Sequence, residues 1–255
     1  GPVDRMATGG LYNGMLAPLW PYTVKGVLWW QGEVNVKEAS AYGAVFPALI
    51  NDWRGHWGEP NLPFVYVQLE GHGLVGPWED SAAQEPPQES QWAQLREAQR
   101  STMALPGTGM VVAADLGIVD EAHHRRLEEI GRRLFVDAET VAYGKANQIW
   151  TGPLYRSMKV HGDKVHLSFT DVNTDLIVKG GGALRGFTIA GADGRFVPAK
   201  AETDGKKVIV WSESVAKPVA VRYGWADNPA GINLYNRDIL FKDGLPAPPF
   251  AAQMK

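Results

Sequence analysis

The chain has no cysteine. Disulfides, thiolate metal sites and a cysteine nucleophile are excluded together, while the compartment stays open, because a cysteine-free chain suits cytosol and periplasm alike. No apolar run approaches the ~18 residues of a membrane span, and no basic segment leads into an apolar one at the start, so no membrane anchor or targeting signal is expected. Gly1 and Pro2 read as the remnant of tag removal, which would have replaced the native start. Charge of one sign is lacking too. The 25 Lys and Arg against 28 Asp and Glu leave a formal net charge of -3. No basic cluster is interleaved with aromatics, which sets a nucleic-acid partner aside. Internal repeats and Asn-x-Ser/Thr acceptors are absent.

What is present is enough apolar material, 45% of 255 residues, for one large core or two ordinary ones. Ten Trp, eight Tyr and eight Phe supply faces that pack in cores and also on sugar rings. The run KGVLWW, residues 25–30, predicts a buried strand that stops at Gln31-Gly32. Tyr42, Val45, Phe46, Leu49, Ile50, Trp53 and Trp57 recur at helical spacing, with Pro47 placed to start or kink that helix. PFVYVQL, Pro63 to Leu69, predicts a second strand, and Trp92 to Ala104 a helix with Ser90 as cap. MVVAADL, Met110 to Leu116, predicts a third strand. Leu127, Ile130, Leu134, Ala138 and Val141 then mark a further helix.

Strand and helix in alternation imply a parallel sheet covered on both faces. After Gly144 the texture changes to short β-prone runs separated by Gly-Asp and Asp-Gly turns. The expectation is an incomplete three-layer α/β domain over residues 1–145, followed by a smaller all-β, sandwich-like domain over 146–255. Gly71 to Glu89 is polar, holds three prolines and has no periodicity; it reads as a long loop shaping a substrate cleft.

Two segments carry chemistry. Asp120-Glu121-Ala122-His123 sits between a strand and a helix. An ester hydrolase needs an imidazole to take a serine proton and a carboxylate to hold the imidazole's tautomer, and Asp-x-x-His lets both act from one loop. The same pattern also suits a solvated helix start. Gln31-Gly32-Glu33-Val34-Asn35 follows the first strand, where backbone N–H groups and a side-chain amide can meet a developing oxyanion. Taken alone, it also reads as a turn closed by Gly32 and Asn35.

The runs LYNGMLAPLWPYTVKGVLWWQGEVN, FPALINDWRGHWG, LPFVYVQL, WAQLREAQ, EIGRRL, GPLYRSM and RYGWADNPAGINLYN, in this order, resemble sialate O-acetylesterases of the SGNH hydrolase superfamily. The resemblance implies carbohydrate O-deacetylation by a serine-hydrolase mechanism without cofactor or metal, in a periplasmic or secreted protein. By resemblance, Gln31 is an oxyanion donor and His123 the base, and Gly32, Glu33, Asn35 and Asn13 contact the acetylated sugar. The family often shows Asp-x-His, which points to Glu121 as the acid; the broader superfamily pattern points to Asp120, which is preferred.

Two departures stand out. Val34 replaces the serine of a QGESN-like loop, and no GDS-like or GQSN-like nucleophile segment occurs. Ser40, Ser81, Ser90, Ser101, Ser157, Ser168, Ser212 and Ser214 all read as caps, turns or surface residues. A second polypeptide carrying the serine is one explanation; a truncated product or a recruited serine are others. Two rivals remain. One is a metal hydrolase built on Asp120, Glu121, His123 and His124, although adjacent histidines diverge on a helix. The other is a catalytically deficient carbohydrate-binding fragment. His161 and His166 flank a Gly-Asp turn and read as strand residues.

Overall fold

A computed structural model describes residues 9–72, 89–116, 123–145, 150–172, 174–229, 231–237 and 244–254, with backbone alone at 123–126. Strands β1 (Val27–Trp29), β2 (Phe64–Val67) and β3 (Thr108–Val111) form a parallel sheet in that order. Every residue of β2 and β3 is buried, as expected of a parallel sheet covered on both faces.

Helix α1 (Ala39–Trp57) buries Ala39, Tyr42, Phe46, Ile50 and Arg54, one stripe at spacings of three and four. Pro47 lies inside this helix instead of starting it, and Gly58 closes it in the left-handed conformation at φ 67°. Helix α2 (Gln91–Thr102) is capped by Ser90, whose hydroxyl accepts from the Ala93 N–H at 2.9 Å. Both helices share an apolar cluster with Phe64, Tyr66 and Met110 on one face of the sheet. Helix α3 (His123–Val141) lies on the other face, where Ile130 packs with Val67 and Ala113. These are the three expected layers.

One strand boundary differs from the sequence reading. β3 spans Thr108–Val111, and Ala114–Leu116 is a 3-10 turn. The cause is Asp115, whose carboxylate turns inward to take both Arg133 N–H groups at 2.8 Å and the Tyr235 hydroxyl at 3.0 Å.

The β region holds β4 (Leu154–His161), β5 (Lys164–Thr170), β6 (Leu176–Val178), β7 (Phe187–Ala190), β8 (Phe196–Pro198), β9 (Lys200–Asp204), β10 (Lys207–Trp211), β11 (Ala220–Tyr223), β12 (Leu234–Asn236) and β13 (Phe250–Gln253). Two four-stranded antiparallel sheets, β4-β5-β10-β9 and β13-β11-β7-β8, enclose its core, with β12 and β6 paired beside them. Burial alternates along β5, which has one face on the core. This region and the α1, α2 face of the parallel sheet share one continuous apolar cluster.

Candidate functional site

In a parallel sheet, ligands bind beyond the carboxyl ends of the strands. Three segments leave that edge among the described residues: Trp30 to Asn35 after β1, Gln68 to His72 after β2, and Val112 to Leu116 after β3.

Gln31 is held at both ends of its carboxamide. Its Oε1 accepts from the Tyr42 hydroxyl at 3.1 Å, and its Nε2 donates to Asn35 Oδ1 at 2.6 Å. One Nε2–H is committed to Asn35, which leaves the second for an outside acceptor. Burial pushes the Tyr42 phenol up, so it stays a proton donor. Below it, Gln99 on α2 donates to the Gln31 carbonyl at 3.4 Å and accepts from the Leu69 N–H at 2.9 Å, tying the first two loops together. Gly32 is buried in this seam. A Cβ there would meet methyl carbons of Leu69 and Leu95 at 3.1 Å, so a larger residue would push the loop outward. Glu33 and Val34 point to solvent, Val34 with 85% exposure.

The backbone places the start of α3 at the same edge. Arg133 donates to the Val112 carbonyl just beyond β3, whereas Asp137 lies against Gly109 within it, so α3 runs antiparallel to the strand. His123, ten residues before Arg133, therefore stands ~15 Å farther out along the helix axis, beyond the carboxyl edge. Asp120 and Glu121 lie outside the described residues, as do the side chains of His123 and His124 and residues 73–88 of the cleft loop expected over residues 71–89. Among the described residues no three His, Cys, Asp or Glu side chains converge as metal ligands.

No hydrogen bond among the described residues joins Asn13 to Gln31. It sits in the turn Tyr12–Leu16, whose Tyr12 hydroxyl meets His56 Nε2 at 3.0 Å in the last turn of α1. Tyr42, which holds Gln31, is at the other end of that helix, about 21 Å away along its axis. The sequence motif thus joins two opposite ends of the layer.

The described serines are occupied elsewhere or lie away from the edge. Ser90 is buried, accepts from Ala93 and donates to Asp227 Oδ1 at 2.6 Å. Ser212 and Ser214 bond each other at 3.0 Å, and Ser157 faces Ser168 across β4 and β5. Ser101 is exposed in the last turn of α2, and Ser40 is exposed in the first turn of α1. Ser81 lies outside the described residues.

Three residue groups that sequence reasoning missed support the edge. Arg96, fully buried, donates to the Leu69 and Glu70 carbonyls after β2 and to the Ala226 and Asp227 carbonyls of the β region. Asp115 and Arg133 pair beneath β3. Burial pushes the Asp115 carboxyl up, but the Arg133 guanidinium and the Tyr235 hydroxyl hold it below its ordinary value. His72 stacks on Trp92 with ring centres 4.4 Å apart and planes 8° from parallel. The one sequence signal was polar Arg96 and Gln99 on the same face of α2 as Trp92 and Leu95, where a surface helix should be apolar.

A sequence family described as "Carbohydrate esterase, sialic acid-specific acetylesterase" matches residues 7–136. The chain is 30% identical to the sialate O-acetylesterase of Mus musculus over 96% of its own length and 47% of that protein. The Homo sapiens sialate O-acetylesterase is 30% identical over 95% of this chain and 48% of its own. The chain thus spans about half the length of the curated relatives it matches. A crystal structure of a carbohydrate acetylesterase from Xanthomonas citri superimposes with a TM-score of 0.84 at 43% identity, covering 95% of this chain and 54% of that one.

Proposed function

The chain belongs to the sialic acid-specific acetylesterase family of carbohydrate esterases, and from that premise we propose that it supplies the oxyanion-stabilising and acid–base half of a carbohydrate O-acetylesterase centre. The observation that carries this reading is the Gln31 carboxamide, clamped by Tyr42 and Asn35 at the sheet edge where α3 begins with His123. A donor that is already oriented costs no reorganisation when charge develops on the ester oxygen.

In this mechanism a serine hydroxyl attacks the acetyl carbonyl, its proton passes to the His123 imidazole, and the spare Gln31 Nε2–H meets the carbonyl oxygen. Collapse expels the sugar hydroxyl, protonated by His123, and water then releases acetate by the same steps in reverse order. Asp120 is the acid that orients His123. Glu33 and Asn35, with Gly32 between the strand end and them, border the sugar.

The nucleophile is supplied by a serine segment outside this sequence, on the same polypeptide or on a second one. Among the described residues β1 is hydrogen-bonded on one side only, to β2, and its Leu28 is 62% exposed with Trp30 at 40%. An apolar strand edge of this kind favours a further strand beside it. A parallel strand there would end next to Gln31. The setting is periplasmic or secreted, and no described helix is long and apolar enough to cross a membrane.

The test is acetate release from para-nitrophenyl acetate and from O-acetylated sugars. The chain is assayed alone and after co-folding with a polypeptide carrying the relatives' serine segment. Turnover that appears on co-folding and disappears with His123→Ala supports the reading. Sugar binding without turnover in either case would instead identify a carbohydrate-binding fragment.

A further inference from the structure

Trp92, Leu95 and Gln99 follow one another at i, i+3 and i+7 on α2, so they form a single stripe along that helix. The lower two members are already placed against the candidate site: Gln99 holds the Gln31 carbonyl, and Leu95 abuts Gly32. Trp92 is the next step up, ~10 Å above Gln99 along the axis. Its indole is half-buried against the core, and one of its faces is covered by the imidazole of His72 in near-parallel contact. His72 itself is an exposed residue.

The pair is rigidly mounted. The His72 N–H donates to the Asp227 carbonyl at 3.1 Å, and Arg96 holds that same carbonyl together with those of Leu69 and Glu70. Gly71 leaves no space for a Cβ against Asn228, which presses the strand-end segment onto the β region. Ser90 caps α2 just before Trp92 and is itself fixed by Asp227. Three hydrogen-bonded anchors that meet at Asp227, and one close backbone approach at Gly71, thus converge on an exposed aromatic surface. Folding stability alone does not call for an exposed ring held this firmly, whereas a recognition surface gains from being ordered before its ligand arrives.

We propose that His72, backed by Trp92, is a platform on which a pyranose ring of the acetylated substrate stacks, with its ester directed down the stripe to Gln31. The proposal rests on the esterase reading of the same edge and deepens it by naming the sugar-contacting residues. Aromatic faces take the apolar C–H side of a sugar ring, and the imidazole edge adds hydrogen-bonding nitrogen atoms for its hydroxyls. A ring stacked on His72 would sit between the β2 exit loop and the Gly32 loop. The platform would act on binding of the sugar and leave a small ester without a sugar untouched.

The test compares wild type, His72→Ala and His72→Tyr for binding of O-acetylated xylobiose, O-acetylated N-acetylneuraminic acid and deacetylated xylobiose, by calorimetry and by saturation transfer from the aromatic protons. Each variant's thermal midpoint is measured as a check on folding. His72→Ala should weaken sugar binding about tenfold, the worth of one stacked ring, while His72→Tyr keeps wild-type affinity. Which acetylated sugar loses more identifies the source of the ring. Unchanged affinity in a folded His72→Ala chain overturns the platform, as does failure of the wild-type chain to bind any of the three sugars. The esterase reading fails separately. His72-dependent binding that ignores the acetyl group, with no acetate release on co-folding, keeps the platform and removes the esterase. Unchanged binding with turnover intact removes the platform alone.

Discussion

The hydroxyl of Tyr42 and the side-chain oxygen of Gln31 are 3.1 Å apart, a contact between the first turn of α1 and the loop that leaves β1. The Tyr42 bond and the Asn35 bond act on opposite ends of one amide, so they assign its oxygen and nitrogen and leave a nitrogen-bound hydrogen facing outward.

Tyr42→Phe removes that hydroxyl and keeps the ring, which packs on Phe46 at 5.2 Å. In the co-folded esterase, kcat should fall about tenfold with KM little changed, because the loss is in orienting a donor used at the transition state. Gln31→Ala should cost about a hundredfold or more. Equal losses in the two variants would show that Tyr42 does more than orient the amide.

The helix stripes and the cap of α2 were legible because their causes are local. Tyr42, Phe46 and Ile50 follow a helical period whatever surrounds them, and Ser90 needs only the N–H three residues on. The end of β3 was not legible. Asp115 leaves the strand because its partners are Arg133 and Tyr235, 18 and 120 residues away. The site divides in the same way. Gln31 was visible as an amide following a strand, but Tyr42, Gln99 and Arg96, which hold that loop and its neighbour, act through contacts that periodicity does not report. The position of Asn13 was hidden for a related reason, since closeness in sequence to Gln31 says nothing about a chain that first passes the far end of α1.

Arg96→Leu should destabilise the chain by roughly 3–5 kcal/mol, since the buried Leu69 and Glu70 carbonyls and the partly buried Ala226 and Asp227 carbonyls lose a charged donor. Arg96→Lys should recover only part of this, because one ammonium does not span carbonyls on both sides of the guanidinium fork. Urea unfolding followed by tryptophan fluorescence measures both. A Leu variant within about 1 kcal/mol of wild type would show that the β region is held to the sheet edge by apolar contact alone.

Asp137 is fully buried on α3, with neither carboxylate oxygen hydrogen-bonded among the described residues, and burial raises its carboxyl well above the ordinary value. A raised folded-state value gives stability that is complete below the unfolded value, ~3.9, and is lost as pH rises through the folded one. Wild-type stability relative to Asp137→Asn should therefore decline from pH 4 upward, by up to ~1.4 kcal/mol for each pH unit until the folded value is passed. Urea midpoints at several pH values test this. A difference that does not change between pH 4 and 8 would mean that Asp137 ionises normally and has a partner in solution.

The isolated chain should not be labelled stoichiometrically by a serine-directed phosphonate or sulfonyl fluoride. Such reagents report a hydroxyl activated by a neighbouring base next to an oxyanion donor. Ser90 is the serine most closely built into the edge, but its hydroxyl proton is given to Asp227 and its oxygen to the Ala93 N–H, and it is only 3% exposed. Ser212 and Ser214 bond each other, and Ser157 and Ser168 face each other in the β region, away from the strand ends. Ser101 is exposed in the last turn of α2, away from its capped end, whereas Ser40 is exposed in the first turn of α1, within two residues of Tyr42, and is the position a recruited nucleophile would use beside Gln31. Intact-mass spectrometry resolves one adduct per chain. Co-folding with the serine-bearing polypeptide should place the adduct on that partner and make labelling depend on His123. A single stoichiometric adduct on Ser40 or Ser81 of the isolated chain, lost together with acetate release in His123→Ala, would show that this chain carries its own nucleophile and needs no second polypeptide.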